Sequence, residues 1–193
     1  VKSLRMRHPR LFVFVGRLVG YKGVDILIRS MASTTGHLAV IGDGVERPRL
    51  EALVHDLALT ERVSFLGVQP PEAIKTYLHA CRAFVLPSIS SAETFGIAQA
   101  EAMACGAAVI NTDLETAVPW VARDGLEALT VPPGDSRALG RALKRIEDNP
   151  SLALALGAAG RQRARTMFSS NSYAQHMSSV YNAALAKRAR FRR

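Results

Sequence analysis

Two glutamates separated by seven residues, Glu93 and Glu101, flank a Phe95-Gly96 pair where a loop is expected to become a helix. If the helix begins near Phe95, Glu93 lies just before it and Glu101 lies one to two turns inside it, because an α-helix turns once in about 3.6 residues. The two carboxylates would then address different parts of one ligand. Each can accept hydrogen bonds from neighbouring hydroxyl groups, such as those of a sugar.

The backbone between the two acids predicts an anion site. The N–H groups of Thr94, Phe95, Gly96 and Ile97 would be the unpaired donors of the first helical turn. With the helix dipole they would attract an anion such as a diphosphate, and Gly96 would let it approach the backbone closely. This combination fits a sugar nucleotide.

A simpler interpretation gives the two acids no ligand. Glu93 could be an acid favoured by the helix dipole, and Glu101 could be a solvated helix residue. The apolar neighbours of Glu101, which include Ala98 and Met103, argue against this alternative. An acid in apolar surroundings needs a partner, so we expect Glu101 to have one.

The segment 90–106 resembles the signature of retaining glycosyltransferases of the GT-B fold, family 4, which use nucleotide-sugar donors. The resemblance implies that Glu93 contacts the donor sugar and that Glu101 holds the nucleotide ribose. It extends from Leu11 to about Ala186 but matches only the C-terminal, donor-binding half of such an enzyme. It therefore implies that the N-terminal, acceptor-binding domain is missing from these 193 residues.

A second motif, 16–23, follows the first apolar run, at the edge of the sheet where ligands bind in open α/β folds. It looks like the Gly-Arg…Lys-Gly segment of the same family, which assigns Arg17 and Lys22 to the donor diphosphate. Fixed cations there would stabilise the negative charge of the leaving diphosphate. The alternative is a turn with a surface arginine and a first-turn lysine.

Two further strand ends border the expected site. Gly42-Asp43-Gly44 is similar to a turn at this place in the family; as a dinucleotide fingerprint it lacks the third glycine, because Arg47 stands there. Phe65 and Leu66 correspond by resemblance to the backbone that meets the nucleotide base. A nucleotide-binding oxidoreductase domain stays an alternative, as does a non-catalytic binding module.

The resemblance thus implies three catalytic residues within a larger donor site and no metal or other cofactor. The catalytic residues are Glu93, Arg17 and Lys22. The residues expected to bind the donor are Gly16, Arg17, Lys22, Gly42, Asp43, Phe65, Leu66, Glu93, Thr94, Phe95, Gly96, Ile97 and Glu101.

Segments 108–121 and 127–135 look most like those of bacterial exopolysaccharide mannosyltransferases. That likeness favours GDP-mannose as the donor over UDP-sugars, and a polyprenyl-diphosphate-linked oligosaccharide or a polysaccharide as the acceptor. A UDP-sugar-dependent family 4 enzyme is the alternative.

Apolar runs alternate with helical patterns along most of the chain. The run from Leu11 to Val15 is continuous and ends at Gly16, which is typical of a central parallel strand. The alternation predicts an α/β, Rossmann-like, doubly wound parallel sheet of about six strands with helices on both faces. We expect one domain, 1–193, with a core at 11–167, a C-terminal crossover helix at about 170–187 and a basic tail at 187–193.

Charge and composition narrow the classes of partner. The net charge is +9 with a pI near 10.2, which fits a diphosphate, a nucleic acid or an acidic membrane surface. Without an aromatic-basic stacking platform, nucleic acid is not expected. The two cysteines, Cys81 and Cys105, predict reduced core thiols in a cytoplasmic protein. The tail is expected to be solvated and disordered, with peripheral contact at the inner face of the membrane as the alternative.

Overall fold

The structure is a computed structural model that describes residues 1–190, with side chains through residue 185. Six parallel strands form one sheet in the order β3-β2-β1-β4-β5-β6. The strands are β1 (Leu11–Val15), β2 (His37–Ile41), β3 (Val63–Gly67), β4 (Ala83–Val85), β5 (Ala108–Thr112) and β6 (Ala128–Val131). The parallel alternating fold is as predicted.

Helices connect the strands and cover the sheet. The α-helices are α1 (Lys2–Arg7), α2 (Val24–Ser30), α3 (Arg47–Asp56), α4 (Pro71–Ala80), α5 (Ile97–Cys105), α6 (Val118–Val121), α7 (Ser136–Asp148), α8 (Pro150–Met167) and α9 (Ser170–Arg190). Short 3-10 turns occupy Gly20–Lys22 and Met31–Ser33. Within the described residues, none of these helices combines the length and the apolar character needed to cross a membrane.

Two hydrophobic layers sandwich the sheet. In β1, Phe12 and Phe14 pack into the layer that includes α2, α3 and α7, while Leu11 and Val13 pack into the layer that includes α4 and α5. Successive side chains of a strand point to opposite faces, so a strand covered on both faces must be apolar at every position. This explains the continuous apolar run.

Several element boundaries differ from the sequence prediction. Helix α5 begins at Ile97 instead of near Phe95, because Gly96 adopts the left-handed conformation with φ 71°. Helix α9 extends to Arg190, so residues 187–190 of the expected disordered tail are helical; Lys, Arg and Ala all favour helix. Residues 191–193 of that tail lie outside the described residues.

Two helices were not expected from the sequence. Helix α1 lies in a segment that reads as a run of basic charge. Helix α6 has four residues, with a proline in its first turn where the missing N–H does no harm. A helix of one turn is too short to show a helical period in its sequence.

A half-buried histidine, His37, lies at the start of β2. The His37 Nε2 atom is 2.9 Å from Ser64 Oγ, and the His37 ring stacks on His8 with 4.0 Å between ring centroids. Burial, with a smaller contribution from the nearby His8, lowers the pKa of His37 from 6.5 to about 4. The folded protein therefore favours neutral His37.

We expect acid to destabilise the protein through His37. Above pH 6.5 the ring is neutral in both states. Between that value and about pH 4 the unfolded chain binds a proton that the folded chain does not. The free energy of unfolding should fall as the pH falls, by less than about 1.4 kcal/mol per pH unit because the half-exposed ring is screened.

Urea denaturation at a series of pH values across this window measures the effect. His37→Asn should flatten the dependence, whereas His176→Asn, at an exposed position on α9, should not. An unchanged slope in His37→Asn would show that another group is responsible.

Candidate functional site

The strand order reverses between β1 and β4, which are neighbours at the centre of the sheet. Ligands of open α/β sheets bind in the crevice outside the carboxyl ends of such strands. Two loops border this crevice, 16–23 after β1 and 86–96 after β4. The Ile89 N–H donates to the Tyr21 carbonyl oxygen at 2.9 Å. A Cβ on Gly23 would lie 2.1 Å from the Pro87 carbonyl oxygen, so only glycine fits there.

An ion pair joins the two loops. Lys22 Nζ lies 2.5 Å from Glu93 Oε2, and the two side chains are only 14% and 9% exposed. The hydroxyl of buried Ser88 donates to the same carboxylate oxygen at 2.8 Å. Among the described residues, no group donates a hydrogen bond to the other carboxylate oxygen, Glu93 Oε1. Every fully buried side-chain oxygen of the described residues does have a hydrogen-bond partner. Glu93 Oε1 is therefore not fully buried and can accept a hydrogen bond from a ligand.

The two cations of the loop 16–23, Arg17 and Lys22, retain N–H donors that are not used by any described residue. An ammonium group has three N–H donors, and Lys22 gives one of them to Glu93. The Lys22 Nζ atom also lies 5.4 Å from the centre of the Tyr21 ring. Arg17 is exposed and makes no ion pair with any described residue. Both cations can therefore bind an anion in the crevice.

The backbone before α5 presents free N–H groups. Within the described part of the chain, Thr94, Phe95 and Gly96 donate no backbone hydrogen bond. The Phe95 ring packs edge-on against Phe168, with 5.8 Å between centroids. Gly96 has φ 71°, which other residues rarely adopt, and a Cβ there would lie 2.5 Å from a methyl carbon of Leu86, so glycine is favoured. These N–H groups are free to bind an anion, and the anion site at the start of the helix stays a prediction.

Glu101 lies on the solvent face of α5. It is exposed, as are Ile97, four residues before it, and Ala104, three residues after it. No described residue forms a hydrogen bond or an ion pair with its carboxylate. The expectation that apolar neighbours would enclose Glu101 is wrong, because the helical period turns Met103 toward the core and Glu101 away from it. Its carboxylate is free for a ligand.

The Gly42-Asp43-Gly44 turn has a packing role. A Cβ on Gly42 would lie 2.0 Å from the Gly16 carbonyl oxygen, and a Cβ on Gly44 would lie 2.3 Å from that of Leu18. The hydrogen bond from the Gly44 N–H lowers the pKa of Asp43, and the hydrogen bond from Arg47 makes a smaller contribution in the same direction. Asp43 Oδ2 is 3.1 Å from an Arg47 nitrogen. Its carboxylate is thus already engaged.

The structure does not bring every predicted residue to the Lys22–Glu93 pair. Phe65 and Leu66 belong to the edge strand β3, which β2 separates from β1. Their half-buried side chains pack into opposite layers, and the Leu66 carbonyl oxygen accepts a hydrogen bond from Gln69 at 2.6 Å.

A buried polar network supports the site and was missed in the sequence. The Asn111 side-chain amide donates to Gln99 Oε1 at 3.1 Å and to the Ala122 carbonyl oxygen at 2.9 Å. The Thr130 hydroxyl donates to Asn111 Oδ1 at 2.7 Å. Gln99 also donates to the Phe95 carbonyl oxygen at 2.9 Å. The network fixes the start of α5 against β5. The available signal was a polar residue near the carboxyl end of an apolar strand.

Among the described residues, no three His, Cys, Asp or Glu side chains are grouped so that they could hold a metal ion.

Comparison with known proteins identifies the family. Residues 2–163 match the family model described as glycosyl transferases group 1. The chain belongs to this family. The match decides against the oxidoreductase alternative, since the glycosyl transferase assignment covers the sheet and the crevice.

Individual relatives agree with this assignment. The chain is 34% identical to a lipopolysaccharide core biosynthesis glycosyltransferase of Rhizobium meliloti, covering 91% of this chain and 50% of that protein. It is 27% identical to O-antigen chain mannosyltransferase C of Escherichia coli, covering 93% and 48%. The structure of sucrose-phosphate synthase from Thermosynechococcus elongatus superposes with a TM-score of 0.86 at 31% identity, covering 97% and 49%.

The chain spans about half the length of the curated relatives that it matches. The solved glycosyltransferases that share its fold have the GT-B architecture, and this chain covers about half of each of the first ones. The expected fold, one half of a GT-B enzyme, is confirmed.

The Lys22–Glu93 pair should stabilise the fold as a unit. Lys22→Met leaves a buried carboxylate without its cation and should lower the free energy of unfolding by about 3 kcal/mol. Adding Glu93→Gln to Lys22→Met should recover part of that loss, because no buried charge then remains. Urea denaturation of the two single variants and the double variant measures the coupling.

Arg47→Met is the control, because Arg47 pairs with Asp43 and Glu51, whose side chains are 49% and 47% exposed. It should cost less than Lys22→Met. Additive effects at Lys22 and Glu93 would contradict the coupling.

Proposed function

We propose that this chain is the donor-binding domain of a retaining glycosyltransferase and that it holds a sugar nucleotide in the crevice between β1 and β4. The observation that carries the proposal is the Lys22–Glu93 pair, which joins the two loops beside unpaired N–H groups. The diphosphate lies between Arg17, Lys22 and the N–H groups before α5. Glu93 faces the sugar, and Glu101 binds the ribose hydroxyls.

The proposed chemistry depends on charge. Transfer breaks the bond between the sugar and the diphosphate, and negative charge grows on the leaving group. Arg17 and Lys22 stabilise that charge in place, so the proposal requires no metal. Glu93 Oε1, which no described residue engages, accepts a hydrogen bond from a sugar hydroxyl.

The remaining site residues shape the crevice. Gly16 and Gly42 allow the loops after β1 and β2 to touch, as their close backbone approach indicates. Asp43 borders the donor through its backbone, because its carboxylate is occupied by Gly44 and Arg47. Phe65 and Leu66 meet the nucleotide base through their backbone.

The proposed enzyme belongs to family 4, transfers mannose from GDP-mannose and acts on a polyprenyl-diphosphate-linked or polysaccharide acceptor. The sequence of 108–135 supports mannose, as does the printed function of the Escherichia coli relative, an O-antigen chain mannosyltransferase. The name of the Rhizobium relative supports an acceptor in lipopolysaccharide synthesis. A UDP-sugar is the competing donor, and the titration below separates the two.

The acceptor-binding half would come from the rest of the protein. In this proposal the domain has its core at 11–167, and α9 crosses back to the other half. The proposed place of action is the cytoplasm, with the acceptor at the inner face of the membrane.

The 193-residue chain alone should bind donor weakly and transfer sugar negligibly. Only one side of the cleft is present in it, so the acceptor hydroxyl is not positioned. Incubation with GDP-[14C]mannose and a polyprenyl-diphosphate-linked acceptor, with and without the missing half, measures the difference. Transfer by the chain alone, at the rate of the joined halves, would refute the two-sided cleft.

Calorimetric titration with GDP, UDP, GDP-mannose and NAD tests the donor site. We expect Glu101→Ala to weaken GDP binding about tenfold, because a charged hydrogen bond to the ribose is lost. Glu72→Ala is the control, since Glu72 is an exposed acid in the first turn of α4. Equal affinity in Glu101→Ala would contradict the role of Glu101, and binding of UDP alone would replace GDP-mannose by a UDP-sugar.

A further inference from the structure

A cavity among the described residues lies at the edge of the sheet opposite to the crevice. It has a volume of about 620 Å³ and is lined by Pro9, Arg82 and Gly106, which precede the strands β1, β4 and β5 by one or two residues. A strand of five residues is about 16 Å long, so the cavity and the crevice are well separated. Its size is that of a small-molecule site.

Four arginines line this cavity: Arg5, Arg82, Arg161 and Arg165. Among the residues that the structure describes, no carboxylate lines it. None of these four arginines forms an ion pair with a described acid, although arginines elsewhere, such as Arg47 and Arg123, do. The cavity therefore concentrates positive charge that the protein itself does not neutralise.

The guanidinium groups keep most of their donors. Arg5 donates to the His79 carbonyl oxygen at 2.6 Å, and Arg161 donates to that of Cys105 at 2.7 Å. Arg82 donates to the Pro9 carbonyl oxygen at 3.2 Å. Each bond uses one of the five N–H groups of a guanidinium. Arg165 makes no hydrogen bond with a described residue.

Close packing fixes one of these cations. Gly106 has φ 76°, and a Cβ there would lie 2.7 Å from Arg161 Nη2. A Cβ on Gly157 would lie 2.3 Å from the Gly106 carbonyl oxygen, so α8 touches the turn after α5 directly. The Arg161 guanidinium therefore lies flat on this turn and is positioned before any ligand arrives.

Helix capping explains only part of this arrangement. Arg5 and Arg161 satisfy carbonyl groups at the ends of α4 and α5, where cations are favoured by the helix dipole. Capping needs one donor from each of them. It does not account for Arg165. It also does not explain why, among the described residues, four arginines and no acid line the cavity.

We propose that this cavity binds a small phosphate-bearing molecule at a site distinct from the donor crevice. Guanidinium groups bind phosphate oxygens in pairs, and a concave site with fixed donors suits a compact anion. Gln162, which also lines the cavity, supplies a neutral donor. These arginines surround a recess, which suits a small anion, while Arg5, Arg161 and Arg165 are also exposed, so the test below includes a membrane surface. The site does not depend on the donor proposal.

Amide-resolved NMR during titration with inorganic pyrophosphate tests the site on the 193-residue chain. We expect shifts at Arg82, Gly106 and Ala107, besides any at Gly96 and Ile97 in the donor crevice. In the double variant Arg161→Gln/Arg165→Gln, the dissociation constant read from Gly106 and Ala107 should rise at least about tenfold.

Controls separate the cavity from general surface charge and from folding defects. Arg137→Gln removes an exposed arginine on α7 and should leave the titration unchanged. If the double variant unfolds, Arg165→Gln alone, which breaks no hydrogen bond within the described residues, should still weaken the response of Gly106. Sedimentation with phosphatidylglycerol vesicles tests a lipid headgroup as the source of the phosphate.

Three results would overturn the proposal. Shifts confined to Gly96 and Ile97 would leave only the donor site. Equal weakening by Arg137→Gln and by the double variant would indicate diffuse charge. Vesicle binding that depends on Arg161 and Arg165, without any response to pyrophosphate, would assign the arginines to a membrane contact.

Discussion

The crevice depends on one buried ion pair between residues that are 71 positions apart, Lys22 and Glu93. Burying two charges is unfavourable unless other hydrogen bonds complete their shells, and Ser88 provides one. The pair still leaves one carboxylate oxygen and two ammonium N–H groups unused. An anion and a hydroxyl group together would occupy those positions, which is why the pair suits a ligand that carries both.

Backbone contact holds the loops around that pair. At Gly23 and Gly42 an added Cβ would lie 2.1 Å and 2.0 Å from a backbone carbonyl oxygen, and both residues have positive φ. Such contact leaves loops little freedom to move apart, since no flexible side chain separates them. The donors of the crevice are therefore largely positioned in advance, which lowers the entropy lost on binding.

The sequence predicted the sheet well because strands buried on both faces need apolar residues at every position, as 11–15 illustrates. It failed where tertiary packing decides. The start of α5 depends on the conformation of Gly96, and the exposure of Glu101 depends on which face of α5 meets the core. The Gln99–Asn111 bond joins distant residues, and residue spacing carries no information about it. Spacing and resemblance did select Lys22 and Glu93, but not their contact.

Helix α5 connects the two proposed anion sites. Its amino end opens onto the crevice, and its carboxyl end, at Cys105, accepts a hydrogen bond from Arg161 beside the arginine cavity. Nine residues of helix span about 13 Å. The dipole favours an anion at the first end and a cation at the second. An anion in the cavity would compete with the Cys105 carbonyl oxygen for Arg161.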